Sequence, residues 1–392
     1  MSILMIDEFS TIRNSAITLK AEAEDVPCRE TSDPARLCKQ PVVSVNMTAY
    51  NHEKYIAEAI EGVVMQKTDF EFELVIGEDC SKDRTREICL DYQRRYPDKI
   101  RVLWSDKNVY SVRGNLTRIS ARCRGEFMAI CEGDDRWTDP FKLQKQVDIM
   151  RRNPNVGLCF CGADIVYEDT GETKEWNADR RIKPGLIPGR RFFLWHLFGT
   201  DPRRGTVNDP ATFLMTASVM LRKSVRDEAR AKYDILRWKL TLTDTTTWLG
   251  VSSLSDVYYL EDKVSIYRRN AGSALGTIGM RVGMDADLVR AWYAMKVLGV
   301  PYEKLPSKFR QDAMLLVLGF QLADLSTAER RAYFRRVWRL KKMRSFFFSP
   351  RGLLAVAVGS FLPITPRVMF WTTRVYSHLF RHFQTVGKIE NA

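Results

Sequence analysis

Along residues 42–131 the apolar positions follow two alternating patterns. VVSVNM (42–47), FELVIG (72–77), IRVLW (100–104) and EFMAIC (126–131) are short, nearly continuous apolar runs, as in strands buried on both faces. Between the first two, Ile56, Ala59, Ile60, Val63 and Val64 recur at helical spacing. Further helices are predicted near Arg84–Tyr96 and Val112–Cys123. Strand and helix in alternation predict an α/β fold whose mostly parallel central sheet is covered on both sides. In such sheets ligands bind beyond the carboxyl ends of the strands. The chemistry is therefore expected in three polar loops: TAYNHEKY (48–55), GEDCSKDRT (77–85) and CEGDDRW (131–137). Asp139-Pro140 predicts the N-cap and first residue of another helix, with Phe141, Leu143, Val147 and Met150 on one face.

Composition changes this picture little. With 392 residues, 45% of them hydrophobic, the chain is expected to form two domains or one large domain with an appendage. MSILMIDEFSTIRNS has no basic segment followed by an apolar core of about 7–15 residues, so a cytoplasmic protein is expected. The eight cysteines lack paired CxxC spacing, and reduced, mostly buried thiols are predicted. Alternation in VGLCFC puts Cys159 and Cys161 on one strand face, where they read as core packing.

Charge changes it more. Residues 301–392 hold 16 Lys and Arg against 5 Asp and Glu, so most of the formal +13 lies there. In ERRAYFRRVWRLKKMRSFFF the basic residues are interleaved with Tyr333, Phe334, Val337, Trp338, Leu340 and Phe346–Phe348, a pattern that suits a helix lying on an anionic leaflet. Gly352–Pro366 is uncharged but short of the roughly 20 residues a span needs, and contains two prolines. The expectation is peripheral association with the inner face of the cell membrane. A solvated basic face on a packed helical region is the plainer reading. No nucleic-acid motif accompanies the charge, so no nucleic-acid partner is expected.

Each polar loop suggests a ligand. Glu132, Asp134 and Asp135 are hard oxygen donors with no adjacent His, a set that suits Mg²⁺ or Mn²⁺ shared with a diphosphate. Asp79 follows its strand where a carboxylate can hydrogen-bond a nucleoside, and Thr48 and Tyr50 offer a backbone contact and a stacking face for a base. Singly, each also reads as a solvated loop, a turn residue or a packing aromatic. Three in order on successive strands favour a common ligand.

The order VSVNMTAYNHEKYIAEAIEGVVMQ, ELVIGEDCSKDRT, ARCRGEFMAICEGDDRW resembles the family 2 glycosyltransferases, inverting enzymes with the A-type nucleotide-diphospho-sugar fold, from about Pro41 to Gly272. The resemblance implies that Thr48, Ala49 and Tyr50 border the base and that Asp79 contacts base or ribose. It places Glu132-Gly133-Asp134 at the family's Asp-X-Asp metal motif, with Glu132 a departure. Asp134 is then the residue most directly on the metal, with Asp135 beside it, and Asn115 and Arg118 are candidates for lining the donor site. The resemblance also implies a catalytic base that follows an apolar strand and opens a helix. After ASVMLRKSV (217–225), Asp244 stands in that place, and Thr243 replaces a second acid found in many relatives. As a bare motif Asp244 reads as an N-cap. Where the family pattern ends Tyr-Arg-X-His, this chain has Tyr267, Arg268, Arg269 and Asn270, so the two arginines are candidates to stabilise the leaving diphosphate.

These expectations divide the chain into an N-terminal extension (1–39), a glycosyltransferase domain (40–272) and a helical basic C-terminal region (273–392). Within the domain, 40–153 is the nucleotide-sugar half and 154–272 the acceptor half. The implied activity is metal-dependent inverting hexosyl transfer from a nucleotide-diphospho-sugar, UDP-sugar first among donors, to a saccharide or lipid-linked acceptor. Its expected setting is capsule, O-antigen or exopolysaccharide assembly. A non-catalytic nucleotide-sugar or glycan-binding scaffold is the alternative, suggested by Glu132, Thr243 and Asn270. A nucleotidyltransferase is disfavoured because TAYNHEKY lacks glycine.

Overall fold

The computed structural model describes residues 28–108, 112–177, 182–198, 214–233, 244–269, 289–290, 293–300 and 304. The first half is the predicted alternation. Strand β1 (Arg29–Thr31) precedes β2 (Val43–Ala49), α1 (Ile56–Val64), β3 (Phe72–Glu78), α2 (Thr85–Arg95), β4 (Ile100–Trp104), α3 (Val112–Ser120) and β5 (Phe127–Ile130). There follow β6 (Arg136–Trp137), α4 (Lys142–Arg152), β7 (Val156–Tyr167), β8 (Thr173–Glu175), β9 (Gly185–Ile187) and α5 (Gly189–Phe198). Strand β10 (Met220–Arg222), α6 (Lys223–Tyr233), α7 (Asp244–Ser252) and β11 (Asp256–Arg269) complete the unit.

One mixed sheet runs in the order β1-β4-β3-β2-β5-β10-β7-β11-β6. Its β4-β3-β2-β5 segment is parallel, as expected for strands joined by helices. Strand β10 then pairs antiparallel with both β5 and β7, so strands from before and after the acidic loop share a single sheet. The alternation of strand residues produces two cores. Leu74 and Ile76 join Ile56, Ile60, Leu143 and Val147 on one face, whereas Val75 joins Ile119, Phe160 and Trp248 on the other. Cys159 and Cys161 are both buried and free, as core residues.

Several boundaries differ from the sequence reading. Strand β10 covers only Met220–Arg222, because Lys223 already begins α6. The helix after the acidic loop begins at Lys142: Asp139 accepts the Phe141 N–H at 2.8 Å, and Phe141 is exposed while Leu143, Val147 and Met150 are buried. Residues 29–31, within a segment that sequence leaves irregular, add β1 antiparallel to β4, and Glu30 pairs with Arg101 at 2.8 Å. At the amino ends of the parallel strands Glu73 is buried and accepts from Ser44, Arg101 and Arg124. Of the expected C-terminal region 289–290, 293–300 and 304 are described, with 293–298 helical; the basic aromatic segment lies outside the described residues. Among the described residues no helix is long and apolar enough to cross a membrane.

Candidate active site

The three polar loops meet at the carboxyl ends of β2, β3 and β5, because parallel pairing carries all three strand ends to one edge. Backbone bonds fasten them together: Asp79 N–H donates to Ala49 O at 3.0 Å, and Gly133 N–H to Thr48 O at 2.9 Å. The first two loops are further tied by Asn51 N–H to Ser81 Oγ at 3.0 Å, Lys82 N–H to Asn51 Oδ1 at 2.9 Å, and Glu53 N–H to Asp83 Oδ2 at 3.0 Å. Asn51 (φ 55°) and Cys80 (φ 59°) take left-handed backbone to make these reversals.

In the first two loops, Ala49 is buried and Tyr50 is exposed, which leaves the Tyr50 ring available for stacking. Asp79 is buried beside Arg118, whose Nη2 lies 3.4 Å from Asp79 Oδ1 and donates to Glu78 O at 2.9 Å. Asn115 supports both: its Nδ2 donates to Gly77 O at 2.7 Å, and its Oδ1 accepts from Arg118 Nε at 2.9 Å. Arg118 and Asn115 thus hold the Asp79 loop from α3. Sequence reading missed Glu78, a fully buried carboxylate that accepts from Ser81 N–H and Arg86 Nε.

The acidic loop is tied to β11 through Arg268. Asp135 is buried, with Oδ1 accepting the Arg268 N–H at 3.1 Å, while Asp134 O accepts from Arg268 Nη1 at 3.0 Å. Glu132 Oε2 and Asp135 Oδ2 are buried without a hydrogen-bond partner among the described residues. Burial raises the Glu132 pKa to about 8, assisted by the charges of Asp244 and Asp134. Burial, with Asp134 and Glu132, also pushes Asp135 well above the usual carboxylate range. Tyr267 is raised as well, by burial and by the same three acids.

Asp244 is the first residue of α7, followed by the buried Thr245 and Thr246. After burial, its charge is the largest influence raising Glu132, which brings it into the field of the acidic loop despite a separation of more than 100 residues. Arg268 spans the rim: its Nη2 donates to Glu58 Oε2 at 2.5 Å, and its guanidinium lies 5.2 Å from the Tyr55 ring centroid. Arg269 is exposed, 5.5 Å from the Tyr167 ring centroid. Thr243 and Asn270 lie outside the described residues.

The acidic loop fits a hard divalent cation. Its donors are carboxylates, and two of their oxygens are buried without a partner, the electrostatic debt that a cation cancels. Among the described residues no three His, Cys, Asp or Glu side chains converge as a finished cage. One or two carboxylates, with substrate phosphate completing the shell, is the usual arrangement for Mg²⁺.

An uncharacterised protein of Mycobacterium tuberculosis is 40% identical over 230 residues, covering 58% of this chain and 59% of that protein. TuaG of Bacillus subtilis, named for glycosyl transfer in teichuronic acid biosynthesis, is 28% identical over 130 residues, 33% of this chain and 50% of TuaG. The chain therefore spans less than two thirds of the length of either relative. Among solved structures, S. aureus TarS 1–349 in complex with UDP-GlcNAc aligns with 81% of this chain and 90% of that one, at 14% identity and a TM-score of 0.47. The family model for glycosyl transferase family 2 matches residues 44–229. That match takes in all three polar loops.

Proposed function

We propose that the protein transfers a sugar, with inversion, from a nucleotide-diphospho-sugar to a saccharide or lipid-linked acceptor, with UDP-sugar as the first donor to test. The observation that carries this reading is the electrostatic proximity of Asp244 to Glu132, which puts the acidic loop and a separate carboxylate within one field. The family match over residues 44–229 supports it.

In this reading Thr48, Ala49 and Tyr50 border the base, and Asp79, held by Arg118 and Asn115, contacts base or ribose. Asp134 and Asp135, with Glu132, hold Mg²⁺ or Mn²⁺, which when bound supplies Lewis-acid compensation for charge on the departing diphosphate. Arg268 braces the acidic loop from β11, through the Asp135 carboxylate and the Asp134 carbonyl. The exposed Arg269 is assigned to the donor phosphates. Asp244 takes the proton from the acceptor hydroxyl as that oxygen displaces the nucleoside diphosphate in line.

The name of TuaG supports a place in surface polysaccharide assembly. The basic, aromatic composition of 329–348 supports delivery of the site to an anionic membrane where a lipid-linked acceptor resides. The direct test is nucleotide release from UDP-, GDP-, dTDP- and CMP-sugars with Mn²⁺ or Mg²⁺, comparing native protein with Asp134→Asn. Release from one donor that vanishes in the variant and with chelator is expected. Absence of both release and metal-dependent nucleotide binding would overturn the reading.

A further inference from the structure

We propose that His52 is a further donor-contacting residue, presenting an Nε2–H to a phosphate oxygen of the nucleoside diphosphate with its tautomer fixed by Gly133. The inference rests on the preceding reading that these loops hold a nucleotide-diphospho-sugar.

His52 stands between the nucleoside loops and the acidic loop. Its N–H donates to Thr85 Oγ1 at 2.7 Å, and its carbonyl accepts the N–H groups of Tyr55 and Ile56 at 2.9 and 2.8 Å, so its backbone is fixed at the start of α1. Its ring faces Gly133, the residue between Glu132 and Asp134. A Cβ on Gly133 would lie 2.7 Å from His52 Nδ1, 2.8 Å from Ile56 Cδ1 and 3.0 Å from Thr48 O. Glycine is therefore required there by close approach, not by dihedral angle.

The same crowding decides where the imidazole carries its proton. Nδ1 is buried and has no hydrogen-bond partner among the described residues. A proton on it would have no acceptor among the described residues, whereas a bare lone pair accommodates the approach of Gly133. A neutral imidazole must then carry its proton on Nε2. His52 as a whole is only half-buried, and its Nε2, unlike Nδ1, is not a buried atom without a partner. The Nε2 edge is a donor next to a carboxylate loop. It suits the bridging group between nucleoside and metal, an anionic phosphate oxygen that carboxylates alone would repel.

The test uses the full chain with Mn²⁺ and each of UDP, GDP and dTDP, taking forward whichever nucleotide binds the native protein. His52→Phe keeps a ring but removes the donor. It is expected to weaken the nucleoside diphosphate about tenfold while leaving the affinity for the bare nucleoside and for Mn²⁺ alone unchanged. His52→Gln, whose amide places a donor near the same position, is expected to recover part of the loss. Equal weakening of nucleoside and diphosphate, or no weakening, would overturn the inference while leaving the parent reading intact. Failure of every nucleotide to bind the native chain would instead overturn that reading. ¹⁵N NMR of the native protein at pH 8, with His52 assigned through the signal absent in His52→Gln, is expected to show the Nε2–H tautomer. An Nδ1–H form would sink the inference even if the Phe variant failed to fold.

Discussion

The main-chain N–H of Arg268 donates to Asp135 Oδ1 at 3.1 Å, so β11 holds a carboxylate of the acidic loop. The Arg268 side chain reinforces this through Asp134 O and Glu58. Arg268→Ala removes the side-chain bonds but not the main-chain one. Partners that orient metal-binding carboxylates are typically worth about 10–100-fold in metal affinity. Mn²⁺ titration of Arg268→Ala is expected to fall at the lower end of that range. Unchanged Mn²⁺ affinity would show that the guanidinium does not support the loop.

The raised Glu132 pKa gives the metal-free protein a distinctive pH dependence. Its folded value of about 8 exceeds the ordinary 4.5, so between these pH values the folded state holds a proton that the unfolded state has released. Stability therefore falls as pH rises from about 4.5 through about 8 and levels off above. Asp135 is shifted in the same direction and adds to the trend. Thermal melts across this range without metal should show the decline, Glu132→Gln should reduce it, and Mn²⁺ should offset it at the alkaline end. A melting temperature that rises steadily with pH would contradict the assignment.

The periodicity of residues 42–131 made β2 to β5 and α1 to α3 legible, because continuous apolar strands and helical stripes are direct consequences of two-sided burial. The three loops followed from topology. What escaped was held by polar or very short elements. Three residues of β1 carry no readable alternation, and their place depends on Glu30 meeting Arg101. Lys142 is fully buried with Nζ 4.1 Å from the Trp137 ring centroid and 2.8 Å from Gln146 Oε1, although its type argues for solvent. His52 is invisible as a neighbour of Gly133 until the two loops are brought together.

Glu73 tests whether the amino-end network is structural. Its buried carboxylate accepts from Arg124 Nη2 at 2.6 Å and Arg101 Nη1 at 3.1 Å, away from the ligand-binding edge. Removing one partner of a buried ion pair costs about 3–5 kcal/mol because the remaining charges stay desolvated. Glu73→Ala should lose about that much stability in urea unfolding, while nucleotide release per folded molecule stays near native. A large selective loss of turnover in a stable variant would mean that the network reaches the site.

Asp244 separates the chemical step from binding. If it takes the acceptor proton, Asp244→Asn keeps the volume and helix position of the side chain but removes the base. Turnover with acceptor should fall by about 10²–10⁴, with little change in donor KM or Mn²⁺ affinity. The same substitution removes the charge that, after burial, does most to raise Glu132, so the Glu132 titration should move toward lower pH. The two readouts are independent, since one follows a proton in the reaction and the other a field in the resting protein. A shifted Glu132 with undiminished turnover would keep Asp244 in the site and assign the base to another residue. Diminished turnover with matching loss of donor affinity would make Asp244 a binding residue.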